Sequence, residues 1–235
     1  MGGNSSLEAR LVEFRDLGPD VRHFVFEIPA IDQLRFSPGQ FVSLTDEVAG
    51  KKVTRAYSLA SAPDGNRFEL CLNRVNLGLF SPYLFSLRPG GSIPLTGPLG
   101  TFVLRDPVRD SVFIATGTGI APFRSMFRDP RIWKAGKQYT LLLGVRYEEG
   151  ILYRDEFEDM ERRWPNFRFW PVLSRPAGAW AGRRGHVQAH LLEAVGDRRD
   201  VDVYICGLKA MVDDVRRRLK DLGFDRQRLI YEKYD

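Results

Sequence analysis
The chain has 235 residues, 43% of them hydrophobic and 28% charged, with a formal net charge of +5. That size fits one large domain or two of roughly 110 residues, and the composition suits a globular protein able to bury a core. It excludes a membrane helix, because no stretch approaches the roughly 18 consecutive apolar residues that one needs, and no secretory leader is expected. The two cysteines, Cys71 and Cys206, do not have metal-ligand spacing and are too few for an iron–sulfur cluster. No metal is expected, redox chemistry would come from an organic cofactor, and the thiols fit a reducing cytoplasm. Charges of both signs are mixed along the chain without a basic arm, so a nucleic-acid partner is not expected. Met1-Gly2-Gly3-Asn4-Ser5-Ser6 formally matches a myristoylation pattern but reads as a flexible tail over 1–6.

From 7 to 106 the pattern is strand and turn. Leu7–Leu17 and Val21–Ile28 read as a hairpin around Gly18-Pro19-Asp20, and Phe36–Leu44 places a turn before a strand. Strands follow at Arg55–Ser61, Arg67–Val75, Ser92–Leu95 and Thr101–Leu104. Six or seven short strands at this spacing predict a small antiparallel barrel. Within Val53–Ser61, apolar and polar residues alternate, so Arg55 and Tyr57 share one face and Ser58 takes the other. A cation, a flat aromatic ring and a hydroxyl in one strand could cradle a ligand anionic at one end and aromatic at the other, as a flavin nucleotide is. Asn76–Phe85 reads as a short helix with Gly78 at its entrance and Ser81-Pro82 in its first turn, a place suited to phosphate.

These motifs stand in order: Arg55-Ala56-Tyr57-Ser58, Cys71-Leu72-Asn73-Arg74-Val75, Gly78-Leu79-Phe80-Ser81 and Gly97-Pro98-Leu99-Gly100-Thr101-Phe102. Together they resemble the flavin domain of the ferredoxin–NADP⁺ reductase family. The resemblance implies FAD, with Arg55 and Ser81 on the pyrophosphate, Tyr57 flat on the isoalloxazine and Ser58 near its N5. It also implies that Ala56, Cys71, Leu72, Asn73, Gly78, Leu79 and Phe80 line the same cofactor.

A polar linker at Arg105–Asp110 opens a second region, 107–235, where strands and helices alternate as in a Rossmann-like parallel sheet. Ser111–Ala115, Thr140–Val145, Phe167–Leu173 and Val201–Cys206 read as strands; Tyr153–Trp164, His186–Val195 and Leu208–Leu222 read as helices. Thr116-Gly117-Thr118-Gly119-Ile120-Ala121-Pro122 falls between strand and helix, where backbone amides can approach a pyrophosphate. It resembles the family's NADP-pyrophosphate loop. A 2′-phosphate wants forked cations, and Arg146, Ser174-Arg175 and Arg183 follow strands where such sheets bind ligands. NADP(H) is therefore expected, with NADH left open. Cys206-Gly207 resembles the motif beside the nicotinamide, and Glu232-Lys233-Tyr234 resembles the plant-type Glu-x-Tyr ending. In that family the tyrosine covers the flavin and moves aside for nicotinamide while the glutamate relays protons; this chain adds Asp235. Ser58, Cys206, Glu232 and Tyr234 are the expected catalytic residues, and the three histidines receive no catalytic role. The expected fold is α+β, an antiparallel FAD barrel followed by a Rossmann-like NADP domain. The expected protein is a cytoplasmic monomer serving ferredoxin or flavodoxin. A reductase component of an oxygenase or cytochrome system, and an electron-relay flavin subunit, are the alternatives.

Overall fold
The structure, a computed structural model, describes residues 7–234. The amino-terminal hexapeptide and Asp235, with the expectations placed on them, lie outside the described residues. Two compact units divide the chain. One comprises the described residues up to Leu104 together with Ala121–Asp129; the other comprises Arg105–Ile120 and the described residues from Pro130 onward.

In the first unit, strands β1 (Leu7–Gly18), β2 (Val21–Glu27), β3 (Phe41–Val48), β4 (Lys51–Ser58), β5 (Arg67–Asn73) and β6 (Ser92–Leu99) form one antiparallel sheet. Their order is β4-β3-β6-β1-β2-β5. A bridge between Leu59 and Leu70 joins the two ends, and the Ala60 N–H donates to the Glu69 carbonyl over 2.8 Å, so the sheet closes into a barrel. Closure removes the unpaired edges that an open sheet would expose. Alternation along β2 and β5 turns Phe24, Phe26, Phe68 and Leu70 inward. The Phe26 and Phe68 rings stack 5.4 Å apart at 14°, and each such side chain contributes about 1.5–3 kcal/mol by burial. Helix α1 (Phe80–Ser86) supplies Phe80 and Leu84 to this core. Helix α2 (Ala121–Phe127) completes the unit and is buried along its whole length.

The strand expected at Thr101–Leu104 does not form. Gly100 turns the backbone at φ +96°, and the Val103 N–H bonds locally to the Thr101 carbonyl, so the segment has no ladder partner. The barrel therefore has six strands.

The second unit carries β7 (Ser111–Thr116), α3 (Pro130–Lys134), β8 (Tyr139–Val145), α4 (Arg154–Arg163), β9 (Phe167–Leu173), β10 (Arg183–Arg184), α5 (Leu191–Val195), β11 (Asp202–Leu208), α6 (Lys209–Asp221) and β12 (Leu229–Tyr234). All six strands are parallel, in the order β10-β9-β8-β7-β11-β12. The central strands read as continuous apolar runs because both faces are covered; Val112, Phe113, Ile114 and Ala115 are all fully buried. Helix α6 buries Met211, Val212, Val215 and Leu219, one stripe at helical spacing. Helix α4 opens on Asp155 and Glu156 and closes on Arg162 and Arg163, which complements its dipole.

Four elements of this unit depart from the sequence expectation. Arg183–Arg184, read as loop, pairs with Val172 and Leu173 as a two-residue strand. The Leu229–Tyr234 ending pairs along β11 as a strand, and Pro130–Lys134 forms a short helix. The helix expected from His186 begins instead as a 3₁₀ turn over Val187–His190 before α5.

Candidate functional site
In the first unit, β4 presents the Arg55–Ser58 motif. Arg55 is exposed, and its guanidinium reaches only the neighbouring Thr54 carbonyl, 2.8 Å away. Among the described residues no carboxylate pairs with it, so its charge is available to an anion. Thr54 and Ala56 are exposed as well, while Val53 and Tyr57 are half-buried against the barrel core and Ser58 is buried. The Tyr57 ring lies nearly parallel to Phe80, with centroids 6.4 Å apart and 13° between planes. Burial pushes the Tyr57 hydroxyl up to about 12 against the pull of Arg55, so the ring stays a neutral phenol. Ser58 is buried at the end of the strand.

Ser81 sits in the first turn of α1 and its hydroxyl oxygen accepts the Val75 N–H over 2.9 Å. The Gly78 N–H donates to the Val75 carbonyl over 2.8 Å, and together these bonds tie Val75–Gly78 to the helix start. A hydroxyl that accepts still holds its own proton as a donor, which is what a phosphate oxygen requires. Asn73 and Leu79 are exposed, whereas Cys71, Leu72 and Phe80 are buried. The side chains of Leu72 and Phe80 belong to the barrel core, so those two positions offer a ligand backbone and shape.

The second unit gathers its motifs at the carboxyl ends of β7 and β11. Gly117–Ile120 forms a 3₁₀ turn immediately after β7. A Cβ at Gly119 would lie 2.4 Å from the Cys206 carbonyl oxygen, so only glycine lets this turn approach β11. Gly207 adopts φ +146°, and a Cβ there would lie 2.3 Å from Thr116 Oγ1. That hydroxyl is buried and has no hydrogen-bond partner. An orphaned buried hydroxyl costs about 1–3 kcal/mol, and here it lies at the carboxyl end of β7, where the glycine turn begins.

Cys206 is fully buried in β11. Burial pushes its thiol well above the usual range, the Glu232 charge pushes it the same way, and a hydrogen bond with Tyr234 pulls against both. It is therefore a protonated thiol, and a nucleophilic thiolate is not its role. Parallel pairing sets Glu232 beside Cys206 and Tyr234 beside Leu208, so the structure brings Cys206, Glu232 and Tyr234 together.

Arg146 and Arg175 follow β8 and β9, and the Arg175 N–H donates to the Arg146 carbonyl over 2.8 Å. Ser174 binds the Val145 carbonyl through its N–H at 2.9 Å. Both arginine side chains are exposed at one end of the sheet. Arg183 is placed differently. Its guanidinium lies 3.6 Å over the Trp170 ring and pairs with Glu193, so it is already engaged.

Sequence reasoning passed over Glu69 and Arg124, a charged pair inside the first unit. The signal was a lone arginine in the otherwise apolar Ala121–Phe127. Among the described residues no group of three or more His, Cys, Asp or Glu side chains could hold a metal ion. No helix among them is long and apolar enough to cross a membrane.

Comparison with known proteins finds two family matches in succession along the chain. The description "Oxidoreductase FAD-binding domain" matches residues 8–104 and "Oxidoreductase NAD-binding domain" matches residues 113–217. Ferredoxin–NADP reductase B of Sorangium cellulosum is 44% identical, over 97% of this chain and 97% of its own length. The chain belongs to the ferredoxin–NADP reductase family. It is an oxidoreductase with an FAD-binding barrel and a nicotinamide-nucleotide-binding domain. The family resemblance extends to the toluate 1,2-dioxygenase electron transfer component of Pseudomonas putida, 31% identical over 97% of this chain and 67% of that protein. The solved cytochrome P450 reductase of Amycolatopsis superposes with a TM-score of 0.88 at 31% identity, covering 97% of this chain and 69% of that one.

Proposed function
We propose that the chain is an NADP(H)-dependent flavoprotein reductase that exchanges hydride with its nicotinamide nucleotide and single electrons with a small acidic carrier, ferredoxin or flavodoxin, as a cytoplasmic monomer. The observation that carries the nucleotide half is Thr116 Oγ1, buried without a partner where the glycine turn begins after β7. Bound FAD supplies the chemistry that joins a two-electron donor to a one-electron acceptor. The chain's own residues bind and orient. Arg55 and the Ser81 hydroxyl neutralise and donate to the pyrophosphate, and Tyr57 gives the ring system a neutral aromatic face. Ser58 offers a hydroxyl near the flavin N5. The Gly117–Pro122 loop takes the second pyrophosphate, and Arg146 with Ser174 and Arg175 takes the 2′-phosphate, for which Arg183 is less suited because it is held by Trp170 and Glu193. Cys206 and Gly207 make room for the nicotinamide. Glu232 moves a proton at its carboxylate and Tyr234 stacks and withdraws as a gate.

An anaerobic titration of the purified holoenzyme with NADPH, followed in the visible spectrum, tests this. Yellow protein bleached by about one equivalent supports the reading. Yellow protein that NADH bleaches and NADPH does not would overturn the nucleotide preference, and protein that binds no FAD would overturn the whole. The likeness to the toluate dioxygenase component favours a second reading, the separate reductase of an oxygenase. Trapping the chain's electron acceptor with reduced enzyme decides between them.

A further inference from the structure
Helix α2 follows the nucleotide loop in sequence yet belongs with the barrel, and one buried side chain accounts for this. Arg124 is only 3% exposed. Its Nη1 donates to the Ala60 carbonyl over 2.8 Å and pairs with the Glu69 carboxylate. The next residue, Ser125, donates its hydroxyl to the Ser61 carbonyl. Ala60 and Ser61 lie two and three residues after Ser58, and Glu69 lies two residues before Cys71 on β5. The Ala60 N–H donates to the Glu69 carbonyl, and the Glu69 N–H donates to Ser61 Oγ over 3.1 Å. Arg128 at 3.6 Å and His23 at 3.8 Å also face the Glu69 carboxylate.

A buried guanidinium is costly unless it is paired and its donors are satisfied. A fold that needed only packing here would be served by a leucine or methionine. What a charged donor adds is direction, because Nη1 holds two acceptors at once, the Ala60 carbonyl just past β4 and the Glu69 carboxylate on β5. Both acceptors lie within three residues of flavin-site positions.

We propose that Arg124, with Ser125, is a positioning residue for the hydride-transfer reaction, holding the Ala60–Ser61 backbone so that Ser58 keeps the place that transfer requires. The proposal rests on the flavin reading of Ser58. Misplacement of reacting groups by about 1 Å can cost on the order of a hundredfold in rate, so a partial loss of the clamp has a kinetic signature apart from folding.

The test uses purified holoenzyme of wild type, Arg124→Met, Arg124→Lys and Ser125→Ala, each with its FAD content measured. NADPH and its C4-deuterated form are compared under steady-state and single-turnover conditions. In Arg124→Met, kcat falls about tenfold and the deuterium isotope effect rises, while KM for NADPH stays within about twofold. Arg124→Lys recovers part of the loss, and Ser125→Ala shows a smaller change of the same sign. If Arg124→Met does not fold, Ser125→Ala alone decides, because it leaves every charge in place. FAD-replete variants with unchanged kcat and isotope effect would overturn the proposal, as would a loss confined to FAD content or thermal midpoint. Wild-type protein without FAD would overturn the flavin reading itself, and the proposal with it.

Discussion
Thr116 combines two properties that pull in opposite directions. Its hydroxyl is buried without a partner, a cost to the folded chain, and it lies at the end of β7 where the glycine turn of the proposed nucleotide site begins. Thr116→Val keeps the shape and removes the orphan. It is expected to raise stability by about 1 kcal/mol or more while weakening the nucleotide, with KM for NADPH rising about fivefold to tenfold for one lost hydrogen bond. Chemical denaturation and steady-state kinetics on one preparation check both signs; a variant that loses stability as well would show that the hydroxyl is satisfied inside the protein. Cys206 makes a related point. Its buried, high-pKa thiol reads as shape beside a ligand, although a cysteine near a redox centre invites a covalent role.

At the scale of elements, pairing of β2 with β5 sets His23 opposite Cys71 and near Glu69. Burial, helped by the Arg124, Arg15 and Arg128 charges, lowers His23 to about 4 against the opposing Glu69 charge. The unfolded chain takes up this proton near 6.5, so between pH 6.5 and about 4 the unfolded state holds more protons and stability rises with pH. Acidification through that window should remove up to about 3 kcal/mol, and His23→Gln should flatten that part of the profile in denaturant titrations at stepped pH. Burial pushes Glu69 up, but Arg124, His23 and Arg128 outweigh it and hold the carboxyl below its usual range. Its contribution is present above the unfolded value near 4.5 and fades as pH falls through the lowered folded value. The ends of β8 and β9 bring Arg146 and Arg175 together through one backbone hydrogen bond. Arg175→Ala should raise KM for NADPH about tenfold to a hundredfold and leave NADH nearly unchanged, since only NADPH carries the 2′-phosphate. Parallel losses with both nucleotides would place Arg175 elsewhere.

For the whole molecule, a net charge of +5 favours encounter with an acidic carrier. Raising ionic strength from about 0.01 to 0.15 M shortens the screening length from about 30 to 8 Å. Electron delivery to the oxidised form of the proposed acidic carrier should then slow several-fold, while turnover with a neutral quinone at saturating NADPH holds steady. Equal salt dependence for both acceptors would remove electrostatic steering from the account.

Local pattern was enough for the two-part architecture, because strand alternation, turn residues and a glycine loop between strand and helix are all short-range signals. It also made Arg55, Tyr57, Ser58, Ser81 and the Gly117–Pro122 loop candidates, since each motif lies within a few residues of chain. It was not enough for β12, which looks like an ending until β11 supplies its partner, nor for Thr101–Leu104, whose strand-like residues find no ladder. The engagement of Arg183 with Trp170 and Glu193 was likewise not legible in the sequence. The clamp of Arg124 on Ala60 and Glu69 spans 64 and 55 residues of sequence, and the orphaned Thr116 hydroxyl exists only once β11 packs beside β7. Periodicity and turn signals determined the fold class, and the family resemblance of the motifs implied the cofactors. Which charges are paired and which buried polar atom lacks a partner was decided by tertiary packing, because burial and pairing are properties of neighbours that the chain brings together only on folding.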